Sequence, residues 1–222
     1  MAGVVWNAEL LEQAEALCRA AHECARRGWV PATSGNFSFR DEMLAEGSMF
    51  ITASGLDKGS ISPANLLEIS LAEAAGPNGA VIAGDGNPSA ETSLHSVIYR
   101  NRPDAGAIFH VHTIWNTLLS DRFAGVGAVL LEDYELLKAF TGVGTHEYRE
   151  VVPILENSQD YVALAKELDA ALRSFPKAHG VLLRRHGLYT WGESIAGARR
   201  HLEALEFLFE VESRRLGFES CK

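Results

Sequence analysis

The amino-acid sequence predicts an α/β protein, and three observations lead to that prediction. Short apolar runs of strand length alternate with segments of helical periodicity through most of the chain. The length of 222 residues suits one domain with a sizeable core, and a hydrophobic content of 47% is that of a soluble globular protein. No internal repeat or linker-like stretch divides the sequence. We therefore expect one domain over residues 1–222.

The chain begins with a predicted amphipathic surface helix. Asn7 is of a residue type that caps helices, and apolar residues at helical spacing continue from it as far as Gly28. These apolar positions are Leu10, Leu11, Ala14, Leu17, Cys18 and Ala21.

The segment after this helix predicts two short strands, each followed by a turn. Residues 29–40 alternate as a strand only in part, with a tight turn at residues 35–36. Residues 48–52 form a second strand, which ends at the Ser-Gly turn of residues 54–55. Residues 72–88 are rich in Gly, Ala, Asn and Pro, which predicts a loop or hairpin with little core.

Helices and strands then alternate more regularly. A helix over residues 89–100 has Glu91 in its first turn and must end before Pro103, because proline disfavours a helical residue before it. Further strands are predicted at residues 105–112, 126–131, 151–155, 180–184 and 188–191, and further helices at residues 113–120, 134–140, 159–174 and 193–216. The last helix is expected to end at Gly217, because glycine is common just after a helix.

The overall charge excludes two classes of partner. The chain has 29 acidic and 20 basic residues, for a formal net charge of −9. Such a chain has no global field that would attract nucleic acid or an anionic membrane. A phosphate-bearing ligand would therefore need a local binding site.

The cysteines and the N-terminus bear on the cellular compartment. Cys18, Cys24 and Cys221 are odd in number and form no C-x-x-C pair, which argues against a disulfide framework and a thiolate zinc site. The first ten residues carry Glu9 and lack the features of a signal peptide, and no stretch approaches the roughly 18 apolar residues of a membrane span. We expect a cytoplasmic protein.

The spacing of two histidines indicates a metal site. His110 and His112 end an apolar run, and residues two apart on a strand point to the same face. Both imidazoles could bind one ion at Zn–N distances of about 2.0–2.1 Å, and His186 in the later run 181–187 is a third candidate ligand. Three histidines leave one position open, as catalytic zinc sites do. For any single histidine, an ordinary structural or exposed role is the commoner alternative.

Polar residues at three turns or helix starts predict an anion-binding site. They offer hydroxyl groups, backbone N–H groups and one ammonium, which are the groups that bind phosphate. Each is common by itself in turns or on surfaces, so the prediction depends on their occurrence together. The candidate residues are Gly35, Asn36, Ser54, Gly55, Lys58 and Ser89.

Five short motifs resemble a known family. They are Ser34-Gly35-Asn36, Thr52-Ala53-Ser54-Gly55, Pro88-Ser89-Ala90-Glu91, His110-x-His112 and His186-Gly187, in family order over most of the chain. In these motifs the sequence is similar to class II aldolases of the fuculose-phosphate aldolase and ribulose-phosphate epimerase type, a superfamily that includes the adducin head. The resemblance implies a three-layer α/β/α domain with a central mixed, mainly antiparallel sheet.

Three further segments resemble a dehydratase branch of that superfamily. They cover residues 134–138, 151–157 and 184–192. The resemblance implies a homotetramer with sites near subunit boundaries and one Zn²⁺ per subunit, bound by His110, His112 and His186, although three imidazoles also accept other divalent metals. The implied reaction is dehydration of 5-methylthioribulose 1-phosphate to 2,3-diketo-5-methylthiopentyl 1-phosphate in methionine salvage. In it, zinc acts as a Lewis acid and a carboxylate transfers protons.

Two carboxylates compete for the acid/base role. Glu91 occupies the position of the catalytic glutamate of the aldolases, whereas Glu135 matches the glutamate that the dehydratases place in an E-x-x-K segment. Some dehydratases carry cysteine at the position of Glu91, so the resemblance ranks Glu135 first. The structural alternatives are that Glu91 complements a helix dipole and that Glu135 pairs with Lys138 at i,i+3.

Two other functions stay open at this point. The runner-up is a class II aldolase that cleaves another sugar phosphate, which would yield two fragments instead of one carbonyl compound and water. A more remote alternative is a non-catalytic interaction protein similar to the adducin head. The chain keeps all three histidines and both glutamates, which favours an enzyme.

Overall fold

The computed structural model describes residues 2–41, 47–71 and 80–219, and a nine-stranded sheet runs through this part of the chain. The strands are β1 (Asn36–Asp41), β2 (Ser48–Thr52), β3 (Leu66–Ser70), β4 (Val81–Ala83), β5 (Ala107–Val111), β6 (Ala128–Glu132), β7 (Arg149–Leu155), β8 (Gly180–Leu183) and β9 (Gly187–Gly192). Their order is β4-β3-β2-β1-β5-β9-β8-β7-β6. Only β7 and β8 pair in parallel; the other neighbours are antiparallel. The predicted mixed, mainly antiparallel sheet is confirmed.

Helices cover both faces of the sheet. They are α1 (Ala8–Arg26), α2 (Thr92–Asn101), α3 (Ile114–Arg122), α4 (Tyr161–Ser174) and α5 (Ile195–Glu219), with short 3₁₀ helices at Pro63–Asn65 and Glu135–Ala139. Helices α1 and α3 contact α5 on one face, whereas α2 packs against α4 on the other. None of the helices in the described part is both long and apolar enough to span a membrane.

Strand β5 shows how the sheet separates the two cores. Its residues Phe109 and Val111 belong to the core under α1 and α5, whereas Ile108 belongs to the core under α2 and α4. Side chains alternate between faces along a strand, so His110 lies on the same face as Ile108. The centre of the sheet therefore directs this histidine toward α2.

The first helix forms as its sequence predicts. The Asn7 side chain accepts a hydrogen bond of 2.8 Å from the Leu10 N–H, which caps the start of α1. Cys18 and Cys24 lie on its buried face, and burial raises their thiol pKa values to about 11 and about 12. Both thiols therefore stay protonated at neutral pH.

Several predicted elements differ in the structure. The strand expected over residues 29–40 starts only at Asn36, because the chain turns at Gly35, where φ is +72°. Strand β3 was not predicted, and β4 lies inside the expected loop 72–88, of which residues 72–79 are outside the described part. Strand β3 follows a short 3₁₀ helix at Pro63–Asn65, which is entered through Ser62.

Two helix boundaries also differ. Helix α2 begins at Thr92, and Glu91 precedes it at the N-cap instead of lying in the first turn, because the Ser89 hydroxyl and carbonyl hold residues 89–92 in a turn. Helix α5 continues through Gly217 to Glu219, so the expected C-cap is wrong. A glycine inside a helix costs only about 1 kcal/mol, which neighbouring helical hydrogen bonds can offset.

A buried carboxylate joins two helices next to the end of β5. Glu206 of α5 is 2% exposed and accepts hydrogen bonds from the Thr113 hydroxyl at 2.6 Å and the Asn116 amide at 3.0 Å. Burial raises the pKa of Glu206 to about 7 despite these two bonds, which act in the opposite direction. Thr113 also caps α3, so Glu206 ties α5 to the start of α3.

The raised pKa predicts a pH-dependent contribution of Glu206 to stability. Between pH about 4.5 and about 7, the Glu206 carboxyl group ionises in the unfolded state but stays protonated in the folded state. The free energy of unfolding of the wild type therefore falls as pH rises through this window. We expect Glu206→Gln, which stays neutral, to gain stability relative to wild type over the same window, by up to about 3 kcal/mol. Urea unfolding of metal-free wild type and variant at pH 5 and pH 8 measures the difference. An equal difference at both values would contradict the prediction.

Candidate active site

Four side chains of types that can bind a metal ion meet at the end of β5. His110 is on the strand, His112 follows it, Glu91 precedes α2, and His186 is in the turn between β8 and β9. One ligand atom from each lies within 4.8 Å of those of the other three. The sequence anticipated all three histidines as one group, although it placed His186 within an apolar run and not in the turn.

The distances within this His/Glu cluster are short. His110 Nε2 and His112 Nε2 are 2.8 Å apart. Glu91 Oε1 lies 3.0 Å from His186 Nε2 and 3.6 Å from His110 Nε2. Three ring nitrogens and one carboxylate oxygen therefore face a common point.

Neighbouring acceptors determine which ring nitrogens carry protons. His110 Nδ1 lies 3.0 Å from the Leu188 carbonyl oxygen, and His186 Nδ1 lies 3.1 Å from Asn157 Oδ1. Both Nδ1 atoms donate to these acceptors, which leaves a lone pair on each Nε2. Converging lone pairs repel one another unless a cation lies between them, so the donor set fits a divalent metal ion. Imidazole nitrogens and a carboxylate oxygen are ligands that zinc accepts, and a substrate oxygen would have to displace the carboxylate or bind as a fifth ligand.

Ionisation of the cluster also favours a cation. Burial opposes the charged form of Glu91, but His110 and His186, acting as positively charged hydrogen-bond donors, outweigh burial and hold the pKa of Glu91 below its usual range; a bound cation would take over this stabilising role. Burial, followed by the neighbouring His110 and His186, lowers the pKa of His112 to about 3. At neutral pH the cluster thus offers a carboxylate and a neutral His112 imidazole as ligands.

The close approach of His186 to β5 requires a glycine beside it. A Cβ atom at Gly187 would lie 2.4 Å from the Val111 carbonyl oxygen and 2.8 Å from His110 Cε1. No side chain fits there without moving β5 or β9. Gly187 therefore allows the turn to bring His186 to the other two histidines.

Two residues that support the cluster were not assigned a role from sequence. Tyr189 is fully buried, and its ring stacks on that of His110 with centroids 3.9 Å apart. Asn157 follows β7 and holds His186. Because β7 and β8 are parallel, the residues after both strands reach the same edge of the sheet, which is the signal that would have placed Asn157 near His186.

The three segments predicted to bind phosphate are hydrogen-bonded to one another. Lys58 is 1% exposed, and its ammonium donates to the Thr33 carbonyl at 3.0 Å and the Leu56 carbonyl at 2.8 Å. The Ser54 N–H donates to the Asn87 carbonyl at 2.9 Å. Lys58 thus joins the first two segments, and Ser54 joins the second to the segment that contains Ser89.

The residues of this predicted anion site differ in their backbone geometry and in the hydrogen bonds that they already make within the protein. Gly35 passes so close to β5 that a Cβ atom would lie 2.7 Å from the His110 carbonyl oxygen, and Gly55 has a φ of +76°. The Ser89 hydroxyl accepts from the Glu91 N–H at 3.2 Å. The Asn36 side chain donates to Glu91 Oε2 at 2.7 Å, so it belongs to the cluster as well as to the predicted anion site.

Glu135 lies apart from the His/Glu cluster within one chain. Its side chain is 73% exposed and pairs with Lys138, with His146 Nδ1 4.0 Å away. The hydrogen bond from Lys138 lowers its pKa below the usual range. Glu135 lines a cavity of about 740 Å³ on the surface of α5, together with the apolar side chains of Leu136 and Phe207.

Comparison with known proteins gives close relatives over almost the whole chain. The family model described as class II aldolase and adducin N-terminal domain matches residues 15–213. The methylthioribulose-1-phosphate dehydratase of Methylococcus capsulatus is 46% identical over 212 residues, which cover 95% of this chain and 98% of that protein. The enzyme of the same name from Pectobacterium atrosepticum is 42% identical over 204 residues, or 92% of this chain and 95% of that protein.

Solved structures show the same fold at lower identity. An L-fuculose 1-phosphate aldolase superposes with a TM-score of 0.72 at 21% identity, over 93% of this chain and 87% of that one. The L-fuculose-1-phosphate aldolase of Thermus thermophilus superposes with a TM-score of 0.70 at 25% identity, over 92% of this chain and 95% of that one. The fold expected from the five motifs is therefore the observed one.

The geometry predicts that His110 and His112 bind one divalent ion together. Replacing either by alanine removes one of four converging ligand atoms, so we expect clear loss of bound zinc from His110→Ala and from His112→Ala. His22→Ala is the matched control, because His22 contacts the Ile61 carbonyl and lies outside the cluster. Metal analysis of the purified proteins makes the comparison. Full retention of zinc in both site variants would refute the assignment.

Proposed function

The chain belongs to the class II aldolase and adducin N-terminal domain family, and on that premise we propose that it removes water from methylthioribulose 1-phosphate. Its relatives of that activity are 42–46% identical over about nine-tenths of the chain or more, which is the observation that carries the proposal. The chain is accordingly a lyase of methionine salvage. The product is 2,3-diketo-5-methylthiopentyl 1-phosphate.

We propose zinc as the metal and His110, His112 and His186 as its ligands. The convergence of their unprotonated nitrogens with Glu91 Oε1 supports this set. A divalent ion bound there supplies Lewis-acid polarisation of the substrate ketone, which makes the neighbouring C–H more acidic. Leu188 and Asn157 keep two of the rings in orientation through their Nδ1 atoms.

The substrate phosphate is proposed to bind at Gly35, Asn36, Ser54, Gly55, Lys58 and Ser89. The hydrogen bonds that join their three segments support this assignment, because a fixed arrangement of donors binds an anion without a further cost of ordering. The buried ammonium of Lys58 supplies positive charge in a chain whose net charge is −9. Its two carbonyl contacts leave one N–H for a ligand.

Proton transfer is proposed to depend on Glu135, with Glu91 as the second candidate. Removal of the proton next to the ketone and protonation of the departing hydroxyl together release one water. Glu135 is ionised at neutral pH and exposed, so it is available as a base. Glu135 lies apart from the His/Glu cluster of its own chain. In the proposed homotetramer, it would therefore act on the cluster of a neighbouring subunit.

The remaining assignments follow from the same premise. We propose that residues 1–222 form one catalytic domain and that the protein acts in the cytoplasm. The aldolase alternative shares the metal ligands and differs in its products. The adducin-like alternative is disfavoured, because an interaction protein has no need for a converging His/Glu cluster.

The reaction predicts a single product. Metal-loaded protein incubated with methylthioribulose 1-phosphate should convert it to one compound lighter by one water, as measured by mass spectrometry. The same incubation with chelator, or with His110→Ala, is the control and should leave the substrate intact. Two carbon fragments would identify an aldolase, and no conversion by metal-loaded wild type would refute the proposal.

The role of Glu135 predicts a large and selective loss of turnover. Glu135→Gln keeps the shape but removes the proton carrier, so we expect kcat to fall by about 10²–10⁴-fold with zinc content intact. At saturating zinc, Glu91→Gln should lower kcat by a smaller factor than Glu135→Gln. Glu132→Gln is the matched control, since Glu132 is also partly exposed and ion-paired, to Arg149. Near-normal turnover of Glu135→Gln with an inactive Glu91→Gln would reverse the two roles.

Mixed oligomers test whether Glu135 acts across a subunit boundary. Glu135→Gln subunits keep an intact cluster, and His110→Ala subunits keep an intact Glu135. Co-assembly of the two inactive variants should restore part of the activity if one subunit completes the site of another. No restoration in verified mixed oligomers would place the proton transfer within one chain.

A further inference from the structure

A continuous chain of hydrogen bonds leads from Glu91 into the protein. Asn36 Nδ2 donates to Glu91 Oε2 at 2.7 Å, and Asn36 Oδ1 lies within hydrogen-bond distance of His95 Nε2. On the other side of the ring, His95 Nδ1 is 2.7 Å from Ser38 Oγ, which is 2.9 Å from the Tyr99 hydroxyl. Two side chains from β1, two from α2 and Glu91 before α2 are therefore joined in one row that ends at the cluster.

All members of this row are buried. His95 and Ser38 are 0% exposed, and Asn36 and Tyr99 are each 3% exposed. Polar groups at such depth lack water as a partner and need one another to satisfy their donors and acceptors. The row therefore has to adopt an arrangement in which each donor meets an acceptor.

The orientation of the Asn36 amide fixes the direction of the bonds in the row. Its NH₂ group donates to Glu91 Oε2, so its carbonyl oxygen faces His95. His95 then carries its proton on Nε2, and its Nδ1 accepts from the Ser38 hydroxyl, which in turn accepts from Tyr99. Burial lowers the pKa of His95 to about 3, in agreement with this neutral tautomer.

We propose that His95 is a positioning residue that, through Asn36, holds Glu91 in one orientation at the metal site. Oε2 of Glu91 is committed to Asn36, so Oε1, which lies 3.0 Å from His186 Nε2, is the oxygen presented to the ion. A carboxylate held in this way would offer one oxygen to the ion while the other stays fixed by its hydrogen bond. The inference rests on the proposed metal-dependent function and assigns to His95 a role that acts through Asn36 and Glu91.

Zinc binding by metal-free protein tests this role without an activity assay. We expect His95→Phe, which fills the space but makes neither hydrogen bond, to weaken the zinc dissociation constant by about 10–100-fold, the usual effect of losing a partner of a metal ligand. His95→Gln retains a donor that reaches Asn36 Oδ1, so it should recover much of the affinity. Tyr99→Phe removes only the far end of the row and should have a smaller effect.

A double-mutant cycle separates positioning from general damage. If His95 acts through Glu91, His95→Phe should change zinc affinity by less than about twofold in a Glu91→Gln background. His22→Phe is the matched control, because His22 makes one hydrogen bond to a carbonyl and has no contact with the cluster. Far-ultraviolet circular dichroism checks that each variant is folded. If His95→Phe does not fold, the zinc affinities of His95→Gln and Tyr99→Phe are used for the test instead.

The outcomes distinguish this inference from the proposed function. Unchanged zinc affinity in the His95 and Tyr99 variants, or an equal loss with and without Glu91, would overturn the positioning role while leaving the metal site in place. Wild-type protein that takes up no divalent ion would overturn the metal dependence and, with it, this inference.

Discussion

The pairing of β5 with β1 on one side and β9 on the other determines the geometry of the candidate site. His110 lies opposite Asn36 on β1 and opposite Tyr189 on β9. The same pairing brings the Leu188 carbonyl to His110 Nδ1 and forces glycine at position 187. A shift of either neighbour by one residue would turn Asn36 and Tyr189 to the opposite face of the sheet.

The polar groups of the site divide into those that face inward and those that lie at the surface. Glu91 and Lys58 are buried and already bonded to protein atoms, so their positions are set before any ligand arrives. Glu135 is exposed, and its ion-pair partners among the described residues are Lys138 of its own segment and His146 of the neighbouring loop. This difference suits a reaction in which the buried groups hold the substrate and an exposed group of a neighbouring subunit approaches it.

The sequence predicted those parts of the site that depend on local periodicity. His110 and His112 share a face because side chains alternate along a strand, and the position of Glu91 beside α2 followed from a motif. Contacts that depend on the pairing of distant strands could not be predicted in the same way. The Leu188 carbonyl and Asn157 are 78 and 29 residues from the histidines they hold, and a backbone carbonyl carries no sequence signal at all. Strand β4 was missed because only three residues form it, on the edge of the sheet.

The buried face of α1 has a consequence for the chemical durability of the protein. Peroxides and alkylating reagents attack thiolates, and the two cysteines on this face keep their protons far above neutral pH. The candidate metal ligands are imidazole nitrogens and a carboxylate oxygen, none of which is readily oxidised. In the described part of the chain, the candidate metal site therefore has no sulfur ligand, and the two thiols of α1 stay protonated for as long as α1 remains folded.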